Sequence, residues 1–200
     1  MGFSLATFSL AAVLVVLLPG PDTLVVVSNL VRGGRGQGAR TALGVLSGLT
    51  LWVVTAVLGL SAVLRASHDA YLVLRLAGAA YLTFMGVRAF LSRGQAARPA
   101  RRLLGNGYTA GLLTDLLNPK VGVFFVTFLP GFVPRGYPVA WVSLLFGSLF
   151  VALTAAYFVV LLAASGTVRR WLADTRLQRR MDRCVGAVLI GFGLRLALDP

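Results

Sequence analysis

From Thr41 to Leu64 the chain runs 24 residues without a charge, and from Gly136 to Val168 it does so again for 33. A helix needs about 20 mostly apolar residues to cross the hydrocarbon of a bilayer, and helix is the form in which a single segment satisfies its own backbone there. Runs of this kind leave little choice of solvent. The remaining composition agrees, with 58% apolar and only 12% charged residues. Soluble domains carry roughly 25% charged residues. A water-soluble fold of 200 residues has too much wetted surface to hide such an excess. The chain therefore reads as an all-α integral membrane protein, with residues 1–200 forming a single membrane domain.

Six stretches are candidate spans: Phe3–Val31, Thr41–Leu64, Ala70–Leu91, Leu103–Val133, Gly136–Val168 and Met181–Leu198. The first is interrupted at Pro19-Gly20-Pro21-Asp22, and the fourth at Asn118-Pro119, with Asp115 and Lys120 on either side. Arg75 and Arg88 in the third span, and Arg183 and Arg195 in the sixth, sit near span ends, from which their long stems can carry the charge to the interface. The opening run lacks a basic start and a small-residue cleavage site and leads straight into more apolar chain, unlike a cleaved signal peptide.

The formal charge is +13, from 18 arginines and one lysine against six aspartates. In a soluble protein that balance would point to nucleic acid. Here the arginines cluster between uncharged runs, so no nucleic-acid partner is expected. Fourteen of them fall on the first–second, third–fourth and fifth–sixth connections and four on the opposite side. Connections rich in arginine stay in the cytoplasm, which places both termini on the other face. The stretch Arg169–Arg183, with Trp171, Leu172, Leu177 and Met181 among its arginines, is either a helix lying on anionic lipid or a solvated connector. A lone cysteine, Cys184, and a lone histidine, His68, exclude an intrachain disulfide and a His/Cys metal cluster.

The chain is also written twice. Arg75-Leu-Ala-Gly78-Ala79 matches Arg183-Cys-Val-Gly186-Ala187 at an offset of 108 residues, and Gly86-Val-Arg88 matches Gly193-Leu-Arg195 at 107. Leu17-Leu18-Pro19-Gly20-Pro21 stands against Leu116-Leu117-Asn118-Pro119-Lys120 at 99. Gly44/Gly48, Ser143/Gly147 and Gly107/Gly111 recur at helix-packing spacing. Repeat one covers about 1–95 and repeat two about 105–200, with the polar stretch at about 93–104 as linker. Three spans per repeat is an odd number, so the halves insert with opposite topology. Six transmembrane helices as two inverted three-helix repeats, with helices one and four broken, is a build common to secondary transporters.

Prolines stop helices, and at mid-membrane the freed backbone groups need other partners. Asn118-Pro119 is an N-cap followed by proline at the first helical position, and Pro21-Asp22 can start a second half-helix in the same way. Both starts attract anions. Lys120 sits against that dipole and deep in lipid, a costly placement that calls for a partner in Asp22 or Asp115. A static Asp22–Lys120 ion pair would only pin the repeats together, Asp22 alone can serve as a helix cap, and Asp115 can be a local partner of Lys120. The functional alternative uses the same groups. The helix start at Asn118 with Lys120 cradles a carboxylate, and Asp22 takes an ammonium or, when empty, a proton. Competition of solute and proton for one carboxylate gives antiport.

Pro19-Gly20-Pro21-Asp22-Thr23, Arg32-Gly-Gly-Arg-Gly-x-Gly38, Gly44-x-x-x-Gly48, Leu76-Ala-Gly-Ala-Ala-Tyr-Leu82 and Asn118-Pro119-Lys120 followed by Phe124-Phe125 and Leu129-Pro130-x-Phe132-Val133 resemble the LysE/RhtB family of bacterial amino-acid exporters. The resemblance runs across nearly the whole chain in one order. It implies a six-span carrier of the bacterial inner membrane that exports amino acids or related small metabolites, driven by the proton gradient and needing no cofactor. With the breaks and the charges beside them, the candidate site is Pro19, Gly20, Pro21, Asp22, Asp115, Asn118, Pro119 and Lys120. Two positions depart from the family's pattern: Asp115 stands where an amide is commoner, and Gly131 where glutamine is common. The additional acid would favour a basic amino acid.

Three other functions fit parts of the pattern. Asp22 and Asp115 sharing a proton would make an intramembrane hydrolase, but no surrounding motif supports an enzyme. An ion or metal exporter would lack soft ligands and would carry a lysine at its site. A non-transporting subunit would need no charge at mid-depth. Homo-oligomers remain open, since the Gly-x-x-x-Gly pairs serve helices within one chain or between two. The charge asymmetry makes one direct prediction. A reporter that is active only outside the cytoplasm is expected to work when fused after Pro200, and an inactive fusion with an active cytoplasmic reporter would reverse the orientation.

Overall fold

A computed structural model describes residues 2–17, 20–66, 68–91, 107–125, 129–133, 136–164 and 175–198. The helices are α1 (Gly2–Leu17), α2 (Pro21–Ala66), α3 (His68–Phe90), α4 (Tyr108–Leu116), α5 (Pro119–Val123), α6 (Val139–Ala163) and α7 (Thr175–Leu198), with a 3₁₀ turn at Leu129–Phe132. Among the described residues there is no strand. Two segments, Pro21–Gly59 and Val139–Ala163, are long and apolar enough to cross a membrane, and Leu5–Leu17 is a shorter apolar helix. Leu10, Leu58, Trp141 and Val159 face outward, as lipid-facing side chains do.

Both expected interruptions are present. The first candidate span divides into α1 and the start of α2, with Pro21 at the first helical position, and the fourth into α4 and α5, with Asn118 as N-cap. Proline explains each break, since it lacks the N–H that would bond four residues back. The first–second connection is itself helical. Helix continues through Arg32–Arg40 with one non-helical residue, Gly34, at φ 73° and ψ −175°. Glycine reaches that conformation without a Cβ clash, so a single residue redirects the chain while its neighbours stay helical. Asn29 Nδ2 donates to Thr41 Oγ1 at 3.0 Å across this elbow, and Arg35 donates to the Ala163 carbonyl at 3.2 Å at the end of α6. A cation at a helix C-terminus meets the favourable end of the dipole.

Of the arginine-rich stretch ahead of the last span, Thr175–Arg183 is helix continuous with the apolar part of α7. Arg169–Asp174, Pro19 and the linker Arg93–Arg102 lie outside the described residues.

Glycine sets which helices touch. A Cβ on Gly44 would run into the Tyr108 carbonyl and one on Gly111 into the Thr41 carbonyl, so α2 and α4 lie backbone to backbone. Gly147 of α6 meets Val53 of α2, where a Cβ would come within 2.7 Å of the valine. Gly86 of α3 and Gly186 of α7 face each other, and Gly193 faces Ala79 and Thr83. Small residues at such crossings let membrane helices approach closely where no hydrophobic drive exists between them.

The half-helix α5 has five residues and cannot stand alone. An aromatic cluster holds it. Phe124 lies 4.6 Å from Phe150 of α6 and 6.2 Å from Phe8 of α1, ring centroid to centroid. Phe8 in turn stacks on Phe146 at 4.5 Å and meets Phe132 edge-on at 5.4 Å. These side chains are buried, and each offset or edge-on pair contributes about 0.5–1.5 kcal/mol beyond its buried area. Gly111→Val is expected to force α4 off α2 at a cost of about 1–3 kcal/mol, the usual range for overpacking. A lowered unfolding temperature in detergent checks this, and an unchanged one would show that the seam is not rigid.

Candidate functional site

The two prolines define the site by what they remove. Pro19 has no N–H, so the Val15 carbonyl four residues before it loses its helical donor. Lys120 Nζ donates to that carbonyl at 3.1 Å. Pro119 likewise orphans the Asp115 carbonyl, which receives the Asn118 N–H at 3.0 Å and the Trp52 indole Nε1–H at 3.3 Å. A donor from another part of the chain therefore closes each break.

Asn118 then joins the breaks. Its Oδ1 accepts the Lys120 backbone N–H at 3.1 Å, capping α5, while its Nδ2 donates to Asp22 Oδ2 at 2.7 Å. The other Asp22 oxygen, Oδ1, is buried without a hydrogen-bond partner. Asp22 lies in the first turn of α2, where the helix dipole favours an anion. Lys120 is within electrostatic reach of Asp22, yet among the described residues they form no ion pair within 4.0 Å. The sequence offers Asp22 or Asp115 as the partner of Lys120. The structure instead gives Asp22 an amide and Lys120 a carbonyl, because the break at Pro19 supplies a competing acceptor.

These groups open onto a cavity of about 450 Å³, counted with its mouth. Ligand pockets are mostly apolar with a few placed polar groups. This one has that character. Gly20, Asp22 and Lys120 line it with Val15, Leu49 and Phe150 among its apolar walls. Thr23, Thr154 and Tyr157 also face it, and a side-chain hydrogen bond links Tyr157 to Thr23. Sequence reasoning named none of these hydroxyls, nor the Phe124 and Phe150 rings, as site residues; Thr23 and Phe124 stood in its motifs, while nothing local distinguishes Thr154, Tyr157 and Phe150 from lipid-facing residues. Val15 was discoverable, because it lies four residues before a proline.

Of the expected site residues, Gly20, Asp22 and Lys120 line the cavity and Asn118 clasps Asp22 from behind. Pro21 and Pro119 open their helices, and Pro19 is outside the described residues. Asp115 is elsewhere: fully buried on α4, with its carboxylate against Gly48 of α2, and absent from the cavity wall. It offers no charge to a solute there, which removes the support for a basic substrate. Among the described residues no group of three or more His, Cys, Asp or Glu stands ready for a metal.

A mostly apolar cavity with a cation and a carboxylate, set where two interrupted helices meet, is the build of a membrane translocator. The chain matches the family model described as LysE type translocator over residues 13–200. It belongs to that family, a family of membrane transporters. It is 28% identical to the uncharacterized membrane protein YrhP of Bacillus subtilis, over 98% of this chain and 99% of that one. It is 27% identical to the leucine efflux protein of Salmonella typhimurium, covering 96% and 93%. The threonine efflux protein of Escherichia coli K12 is 26% identical, covering 96% and 97%. No solved structure matches the chain.

Asn118 gives the sharpest test of this geometry. Asn118→Ala removes the cap, worth about 1 kcal/mol, and leaves a buried Asp22 oxygen without its donor, which costs about 1–3 kcal/mol more. Asn118→Ser keeps a cap acceptor, adds no charge beside Asp22 and loses the amide donation. A melting temperature lowered in the alanine variant more than in the serine variant is expected; equal values would mean that the cap is irrelevant.

Proposed function

We propose that this translocator exports amino acids, or small zwitterionic metabolites related to them, across the bacterial inner membrane in exchange for protons. The observation that carries the reading is the pair of opposite charges on one cavity, each with capacity left for a solute. Asp22 Oδ1 is unpartnered, and Lys120 is held by a neutral carbonyl that a carboxylate can displace. A solute's ammonium goes to Asp22. Its carboxylate goes to Lys120 and the positive start of α5. The apolar walls take the side chain. The names of the leucine and threonine efflux relatives support an amino acid as cargo.

Proton coupling follows from competition at Asp22. A protonated carboxyl cannot hold an ammonium as a counter-ion, so a proton arriving from the acidic side releases the solute. The energy source is the proton gradient, with no bound cofactor. Catalysis has no place in this reading, because Asp115, the second acid of a hydrolytic dyad, stands outside the cavity.

The same proposal takes the fold as six spans in two inverted repeats with both termini outside the cytoplasm. Reciprocal packing supports it. Gly86 meets Gly186, the repeat equivalent of Gly78, and Gly193, the equivalent of Gly86, meets Ala79 beside Gly78. An axis that exchanges the halves produces paired contacts of this kind. Arg35 on the Ala163 carbonyl supports placing the first–second and fifth–sixth connections on one face.

The test is counterflow in proteoliposomes with a panel of labelled amino acids, with and without an imposed pH gradient. Uptake of at least one amino acid, accelerated by the gradient, is expected. Asp22→Asn should abolish the acceleration, about tenfold or more, equivalent to about 1.4 kcal/mol. Gradient-driven transport unchanged in that variant would remove Asp22 from the coupling, and silence across the whole panel would remove amino acids as cargo.

A further inference from the structure

Asp115 is a buried ionisable group that the cavity does not use. Its relative exposure is 0%, and neither carboxylate oxygen has a hydrogen-bond partner. A Cβ on Gly48 would come within 2.5 Å of Oδ2, so only the absence of a side chain at Gly48 gives the group room. The nearby indole of Trp52 is spent on the Asp115 backbone carbonyl, not on its carboxylate. A bare carboxylate in such a place loses its hydration without compensation, and groups so placed neutralise instead.

The neutralising occupant must be small. Gly48 and Trp52 bring no charge from α2. The charged groups around the break are Asp22, an acid within electrostatic reach, and Lys120, whose ammonium bonds the Val15 carbonyl. A metal cation would need several oxygen ligands, and among the described residues no cluster of acids supplies them. A proton needs only the carboxyl itself. Asp115 also lies three residues before Asn118, whose amide holds Asp22, so displacement of α4 bears on both acids.

We infer that Asp115 is a second proton-carrying carboxyl of this translocator, filled in the conformation described and emptied when α4 moves off Gly48. The inference rests on the proton-coupled export proposed above. It adds one proton per transport cycle at a site that never touches the solute. Release requires water to reach the seam between α2 and α4, which ties proton loss to a change of conformation rather than to solute binding.

Two measurements on the whole chain in vesicles decide it. Infrared spectroscopy at neutral pH should show a carboxylic-acid C=O band that is absent in Asp115→Asn and retained in Asp22→Asn. If Asp115→Asn does not fold, Gly48→Ala keeps the acid and presses a methyl on it, and should shift the same band. The number of protons moved per solute, from the pH gradient that balances a known solute gradient, should fall by one in Asp115→Asn while solute exchange without a gradient persists. A band unchanged in both variants overturns the inference, and so does an equal proton count. A wild type that shows no gradient-driven transport overturns the parent reading and this one with it, whereas a driven wild type with equal counts sinks only the role of Asp115.

Discussion

The structure depends on two hydrogen bonds that proline cannot make. A buried carbonyl that loses its helical donor needs another, and each one created by Pro19 and Pro119 receives one from another helix, the Asp115 carbonyl in addition to the local Asn118 N–H. The first takes Lys120 Nζ and the second takes the Trp52 indole. Satisfying the backbone thus brings a lysine to the end of α1 and binds α4 to α2. The charge on Lys120 is not an addition to the break but part of its repair.

The cavity follows from the same repair. A helix start cannot be packed tightly by side chains of its own, so space remains where α2 and α5 begin. Apolar walls from α1, α2 and α6 enclose it, and the phenylalanines around Phe8 and Phe124 fix the short α5 against them. Glycine seams elsewhere set how closely the surrounding helices approach.

Long uncharged runs, proline breaks and the Asn118 cap were legible because each is a local signal with one physical reading. The helices begin and end near the expected residues, with α3 at His68–Phe90 against an expected Ala70–Leu91. The glycine pairs announced close contacts without naming partners, because the spacing on one helix carries no information about which helix lies opposite. Two features lay beyond the sequence. Helix spans the Arg32–Arg40 connection, with Gly34 alone absorbing the change of direction. The partners of Asp22 and Lys120 could not be assigned from charge, because the competing carbonyl of Val15 carries none. Thr23 stood in the Pro19–Thr23 motif without being marked as a cavity residue, and Tyr157 carried no pattern.

The continuity of α2 through Gly34 has a mechanical consequence. One arm of this bent rod carries Asp22, and the other carries Gly48 and Trp52. The Asn29–Thr41 hydrogen bond braces the angle between them like a gusset, and Arg35 straps the corner to the end of α6. With the corner stiffened, the arms swing as one lever, so a push felt at the cavity arrives on the far arm as leverage on α4.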